Sequence, residues 1–216
     1  MNNDPHAHSP VLTRGPAPEA AALTLVMIHG RGASAESILS LFDAMQLPTI
    51  AAVAPQAAGG TWYPHSFLAP LAGNQPWLDS ALGRVAATVD ELIARGVPSA
   101  RIALLGFSQG ACLTSEFLVR HPRRYAAAMI LTGGVIGPLD APRAAPTGSL
   151  DGTPILLSAG EPDAHVPIAR AIETDALLQS IGARVDFRRY PGRPHTVGKD
   201  EFDACRELLV EIAHSS

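Results

Sequence analysis

Ser108 stands at the centre of Gly106-Phe107-Ser108-Gln109-Gly110, a G-x-S-x-G pentapeptide. A serine hydroxyl is a poor nucleophile until a base takes its proton, so the spacing has chemical meaning only in a particular setting. That setting is a sharp turn between a buried strand and a helix, which lifts the hydroxyl clear of the strand end. The chain supplies it: an apolar run over residues 101–107 enters the pentapeptide, and a helix-compatible run over residues 109–120 leaves it. The flanking glycines have a steric reason, because a side chain at either position would collide with the strand or the helix. The pentapeptide alone is a weak signal. A base, a carboxylate and donors for an oxyanion must come from elsewhere in the chain.

The histidines after Ser108 are His121, His165, His195 and His214. His121 closes a helix ahead of Pro122, where a cation suits the helix dipole, and His214 lies in the tail. His195 falls in Pro191-Gly192-Arg193-Pro194-His195, between the last expected strand and the last helix, and is the expected general base, with His165 its competitor. For the orienting carboxylate, Asp163 lies in the loop after a strand over residues 155–159, and Glu161 competes with it. Asp151 precedes that strand and belongs at its opposite end, while Asp175 reads as solvated charge on a helix. An oxyanion hole needs backbone N–H groups aimed at developing charge. One is expected from Gln109, and the other from the turn His29-Gly30-Arg31-Gly32, with Arg31 the first choice and Gly32 the second. The Arg31 side chain reads as solvated or as a contact to an anionic substrate, and His29 as a bridge between loops.

The elements that must position these residues follow from hydropathy. Leu23–Ile28 and residues 50–54, 101–107, 127–131 and 155–159 are continuous apolar runs, the pattern of strands covered on both faces. Val185, Phe187 and Arg189 alternate with charged or polar residues and suit a sheet edge, and residues 8–15 form a weak first strand among prolines. Between them lie helical patterns over residues 35–45, 78–95, 109–120, 167–181 and 200–212. The clearest carries Leu78, Leu82, Val85, Val89 and Leu92 on one stripe, closed by Gly96 and Pro98. Strands alternating with helices imply an α/β fold with a mainly parallel sheet, whose ligand crevice lies at the carboxyl ends of the strands. Residues 56–77 hold no period yet carry Trp62, Tyr63 and Phe67, the pattern of a substrate-lining loop. That loop and residues 135–152 are expected to fold over the elbow and shape an acyl pocket.

The 216 residues, 47% hydrophobic and 17% charged, suit one domain with a large core. Residues 1–22 form an N-terminal segment with that weak strand, and residues 23–216 the single domain. A net charge of −4 argues against nucleic acid as a partner. Cys112 and Cys205 have no metal-type or C-x-x-C spacing and read as buried free thiols. No apolar leader and no run of membrane-spanning length is present, so a cytoplasmic location without stable membrane association is expected.

Taken together, His29-Gly30-Arg31-Gly32, the pentapeptide around Ser108, Asp163 with Val166-Pro167, and His195 resemble the phospholipase/carboxylesterase family of α/β-hydrolases. The resemblance covers most of the chain. It implies an α/β-hydrolase fold without a cap domain, with Ser108 as nucleophile, Asp163 as acid, His195 as base and Arg31 and Gln109 as oxyanion donors. It implies neither a metal nor an organic cofactor, and Val166 joins Trp62, Tyr63 and Phe67 as a residue lining the substrate site. The expected function is hydrolysis of short to medium carboxylic esters through an acyl-enzyme, with a small-molecule ester or thioester as substrate. Arg31-Gly32-Ala33-Ser34 and Trp62-Tyr63-Pro64-His65 lack the acidic residues of the eukaryotic thioesterases, which favours the bacterial carboxylesterase branch. Thioesterase or lysophospholipase action at the same site is the first alternative. A non-catalytic ligand-binding protein on a hydrolase scaffold is the second, and its signature would be a missing triad member. Family members are often dimers, so a homodimer is among the expectations.

Overall fold

Leu23–Ile28 (β2), Ile102–Phe107 (β4) and Ala127–Leu131 (β5) are short apolar runs buried along nearly their whole length. They form the parallel centre of a seven-stranded sheet in the order β1-β3-β2-β4-β5-β6-β7. In this computed structural model, which describes residues 4–215, the remaining strands are Val11–Arg14 (β1), Ile50–Pro55 (β3), Pro154–Glu161 (β6) and Arg184–Pro191 (β7). The first three residues of the N-terminal segment and the final serine lie outside the described residues. Every pairing is parallel except β1 with β3. The weak first strand thus joins the sheet, at one edge, by running antiparallel to its neighbour. The alternating β7 sits at the other edge, as its pattern predicts.

Both faces are covered because each central strand sends side chains both ways. Val26 and Ile28 of β2 pack with Trp77–Ala94 (α2), Gln109–Arg120 (α3) and Ile168–Ser180 (α4) on one side. Leu23, Leu25 and Met27 pack with Ala35–Met45 (α1) and Lys199–Ser215 (α5) on the other. Helix α1 starts on a reciprocal cap, in which Ser34 and Ser37 each accept the other's amide hydrogen. The stripe Leu78, Leu82, Val85, Val89 and Leu92 is wholly buried, and Gly96 leaves α2 at a positive φ of 91°. The carboxyl ends of β2, β3, β4 and β6 then converge on one edge, where the loops carrying the candidate residues meet.

Candidate active site

Strand β4 hands the chain to Ser108, the N-cap of α3, at φ 55° and ψ −118°. A non-glycine residue held there costs about 1–3 kcal/mol, so the surroundings must over-determine it. Ser108 N–H donates to the Leu131 carbonyl at 3.0 Å, and its own carbonyl accepts from Cys112 N–H at 3.0 Å. The flanking glycines are required by close approach. A Cβ on Gly106 would lie 2.3 Å from the Gly110 oxygen, and one on Gly110 would lie 2.0 Å from the Ile28 oxygen.

The loops after β6 and β7 bring Asp163 and His195 to this turn. His195 Nε2 lies 2.8 Å from Ser108 Oγ, and His195 Nδ1 lies 2.7 Å from Asp163 Oδ2. The second Asp163 oxygen accepts the main-chain N–H groups of His165 at 2.7 Å and Val166 at 3.0 Å. Burial works to raise the Asp163 pKa. The hydrogen bond from His195, with those from Val166 and His165, outweighs it and holds the carboxyl below its ordinary value. An ionised Asp163 accepts from Nδ1–H, which leaves the Nε2 lone pair facing the serine hydroxyl.

The competitors are placed elsewhere. His165 packs its ring edge-on against His195, with centroids 4.8 Å apart, and contributes its amide to Asp163. Glu161 pairs with Arg189 on the surface at 2.7 Å. His121 stacks on Phe117 at the end of α3, and His214 donates to the Val210 carbonyl within α5. Asp151 sits before β6, and Asp175 is bonded to Gln179 on exposed α4 surface.

Gln109 is the first residue of α3, so its N–H belongs to the first-turn amides that have no acceptor within the helix. The turn after β2 lies against the elbow: a Cβ on Gly30 would be 3.5 Å from Ser108 Cβ. Within that turn Gly32 N–H is already committed to the Gly60 carbonyl at 2.8 Å. Arg31 is therefore the better of the two expected donors. Its side chain is exposed, as the solvated reading expects, and lies at the rim of the pocket over Ser108. It straps the aromatic loop, donating to Thr61 Oγ1 at 2.9 Å and to the carbonyls of Pro64 at 3.0 Å and His65 at 2.8 Å. His29 bridges loops, with Nδ1 on the Gly30 carbonyl and Nε2 accepting from Ala57 N–H.

A pocket of about 730 Å³ opens over Ser108, and Tyr63, Phe67 and Val166 line it as expected from the sequence. Trp62 does not. Its indole N–H needs a buried partner and finds the His29 carbonyl at 2.9 Å, which turns the ring into the core behind the pocket. Cys112 takes a lining position instead, beside Tyr63; burial pushes its thiol up to about 12. Residues 135–152 also depart from expectation. Residues between Ile136 and Thr147 line a separate cleft with Leu71 and Glu116, held back because buried Glu116 accepts from Ile136 N–H and Arg143. What the sequence pattern did not reveal is the Gln109 side chain, which donates to the Tyr63 carbonyl at 2.8 Å and accepts from Trp62 N–H at 2.9 Å. The one available signal was a polar side chain at a helix start that had to be buried.

A profile of the phospholipase/carboxylesterase family matches residues 14–212. The chain belongs to that family. The phospholipase/carboxylesterase of Dyadobacter fermentans DSM 18053 is similar in structure at a TM-score of 0.89 and 41% identity, over 94% of this chain and 96% of that one. A probable carboxylesterase of Oryza sativa subsp. japonica is 29% identical over 86% of this chain and 78% of its own length. Acyl-protein thioesterase 1 of Neurospora crassa is 28% identical over 57% of this chain and 51% of its own. Family membership makes the fold an α/β-hydrolase fold and the protein a carboxylesterase-type hydrolase.

Proposed function

We propose that the protein cleaves carboxylic esters with Ser108 as nucleophile, His195 as general base and Asp163 as the carboxylate that orients it. The observation that carries this reading is the continuous hydrogen-bonded line Ser108 Oγ–His195–Asp163, at 2.8 and 2.7 Å. His195 Nε2 takes the serine proton as Oγ attacks the ester carbonyl carbon. Negative charge develops on the former carbonyl oxygen, and the amides of Arg31 and Gln109 receive it. The protonated imidazole returns its proton to the leaving alkoxide as the C–O bond breaks, leaving an acyl-serine. Water, deprotonated by the same nitrogen, then releases the acid and restores the enzyme.

Short to medium acyl chains are the substrates we assign to the pocket, and its buried lining of Tyr63, Cys112 and Phe67 supports an apolar acyl group there. Thioesters are the second reading, favoured by the thioesterase activity named for the Neurospora relative. Among the described residues no helix is long and apolar enough to cross a membrane. The two buried free cysteines fit a reducing, cytoplasmic setting. The test is a panel of p-nitrophenyl esters and matched thioesters of increasing acyl length, with Ser108→Ala as control. Turnover should drop by several orders of magnitude in that variant. Near-wild-type hydrolysis by Ser108→Ala would sink the reading.

A further inference from the structure

His6 belongs to the arm ahead of β1, far from the elbow in sequence, yet its side chain is fully buried. Its Nδ1 accepts Ala58 N–H at 3.0 Å, and its Nε2 meets the Trp62 carbonyl at 3.0 Å. The ring packs 5.4 Å from both Trp62 and Trp77. The arm is pinned to α2, since His6 N–H donates to Ser80 Oγ at 2.9 Å and the Ser80 hydroxyl donates to Asp4.

His29 makes the complementary arrangement. Its Nε2 accepts Ala57 N–H at 3.1 Å, and its Nδ1 meets the Gly30 carbonyl at 2.8 Å. An amide N–H can only donate, so the nitrogen it meets must be bare. Both rings are therefore neutral and of opposite tautomer, with the proton on Nε2 in His6 and on Nδ1 in His29. Burial, the largest influence on each, also lowers both pKa values; Asp4 and Arg84 act on His6 from either direction. Successive amides of one turn thus end on imidazoles from different parts of the chain. That turn, Ala58–Gly60, presents the Gly60 carbonyl to Gly32 N–H at 2.8 Å. Trp62, the other partner of His6, donates its indole N–H to the His29 carbonyl. Both contacts grip the segment that carries the Arg31 amide.

We propose that His6 is a positioning residue for the oxyanion turn, acting through Ala58–Gly60 and Trp62 on the placement of the Arg31 amide. This rests on the esterase reading above. The decisive atom is the bare Nδ1, which an asparagine side-chain oxygen can replace and a glutamine, one bond longer, cannot.

The test compares kcat and KM of wild type, His6→Leu, His6→Asn and His6→Gln on p-nitrophenyl butyrate, well below each variant's Tm. The expected result for Leu and Gln is a kcat lower by about tenfold or more with KM little changed, as for a misplaced oxyanion donor. Asn should recover most of the loss, and nitrogen-15 NMR of wild type should report the Nε2-protonated tautomer for His6. Unchanged kcat in a folded His6→Leu overturns the proposal. So does an Asn variant no better than Gln, a comparison that still decides if His6→Leu does not fold. Wild type without esterase activity would instead overturn the hydrolase reading, and the unmutated control reports that outcome separately.

Discussion

The Gln109 side-chain oxygen accepts the Trp62 main-chain N–H at 2.9 Å, joining the start of α3 to the aromatic loop across 47 positions of sequence. The same amide group donates to the Tyr63 carbonyl at 2.8 Å. The residue whose main-chain N–H we propose as an oxyanion donor thus also fixes the loop that walls the pocket. Gln109→Leu leaves the Trp62 N–H without this partner in a buried setting, at about 1–3 kcal/mol, while the Tyr63 carbonyl keeps the Thr61 hydroxyl. Tm should fall by about 2–4 °C per kcal/mol lost, and discrimination between acyl lengths should weaken. Thermal melts and the ester panel check both; an unaltered chain-length profile would contradict the loop's role.

Asp163→Asn tests the orienting carboxylate. The amide can still accept from His165 and Val166, so the loop should keep its shape. An amide N–H facing His195 Nδ1 would select the tautomer that points a proton at Ser108. By analogy with other triads, kcat should fall by about 10,000-fold with Tm little altered.

Stability should depend on pH through three histidines set back from the elbow. His6, His29 and His121 are held below their usual value, chiefly by burial. Once unfolded they titrate near about pH 6.5, so below that pH the unfolded chain binds more protons than the folded one. Their contribution is complete above about pH 6.5 and is lost as pH falls toward their lowered folded values. Asp163, also depressed, adds a further loss only at the lower pH where carboxylates protonate. Melting curves should show Tm dropping between about pH 7 and about pH 5, with a smaller drop in His6→Asn. A flat profile would contradict the neutral, buried state of the His6 and His29 rings.

Both cysteines should be silent to thiol reagents in the native protein. Burial pushes Cys112 and Cys205 up to about 12 each, which leaves almost no thiolate at neutral pH. Titration with an aromatic disulfide should find both thiols only in denaturant. Fast labelling of the native protein would mean that the wall of the pocket opens.

Strands such as Leu23–Ile28 were legible because a strand covered on both faces has nowhere to place a polar residue. The elbow was legible for a related reason, since only glycine fits where Gly110 meets the Ile28 oxygen. The meeting of Asp163 and His195 at Ser108 was foreshadowed by their position at strand ends. Contacts between elements left no such trace. Arg31 and Gln109 hold the loop through main-chain carbonyls and amides, which every residue carries, so no side-chain pattern marks their targets. Trp62 was misplaced for a physical reason: an aromatic in an aperiodic loop can face a pocket or the core. The acceptor for its indole N–H, on a residue 33 positions away, decides which.

Strand β7 has a consequence for how copies of the chain meet. The sheet ends there in Arg184, Asp186, Arg188 and Arg189, all exposed, and in Pro191, which has no N–H to offer. The opposite border, β1, is only 4 residues long. Charge on one margin and brevity on the other oppose the stacking of sheets edge to edge into a continuous ribbon. Both margins of this hydrolase are thereby poor templates for strand addition by a second copy.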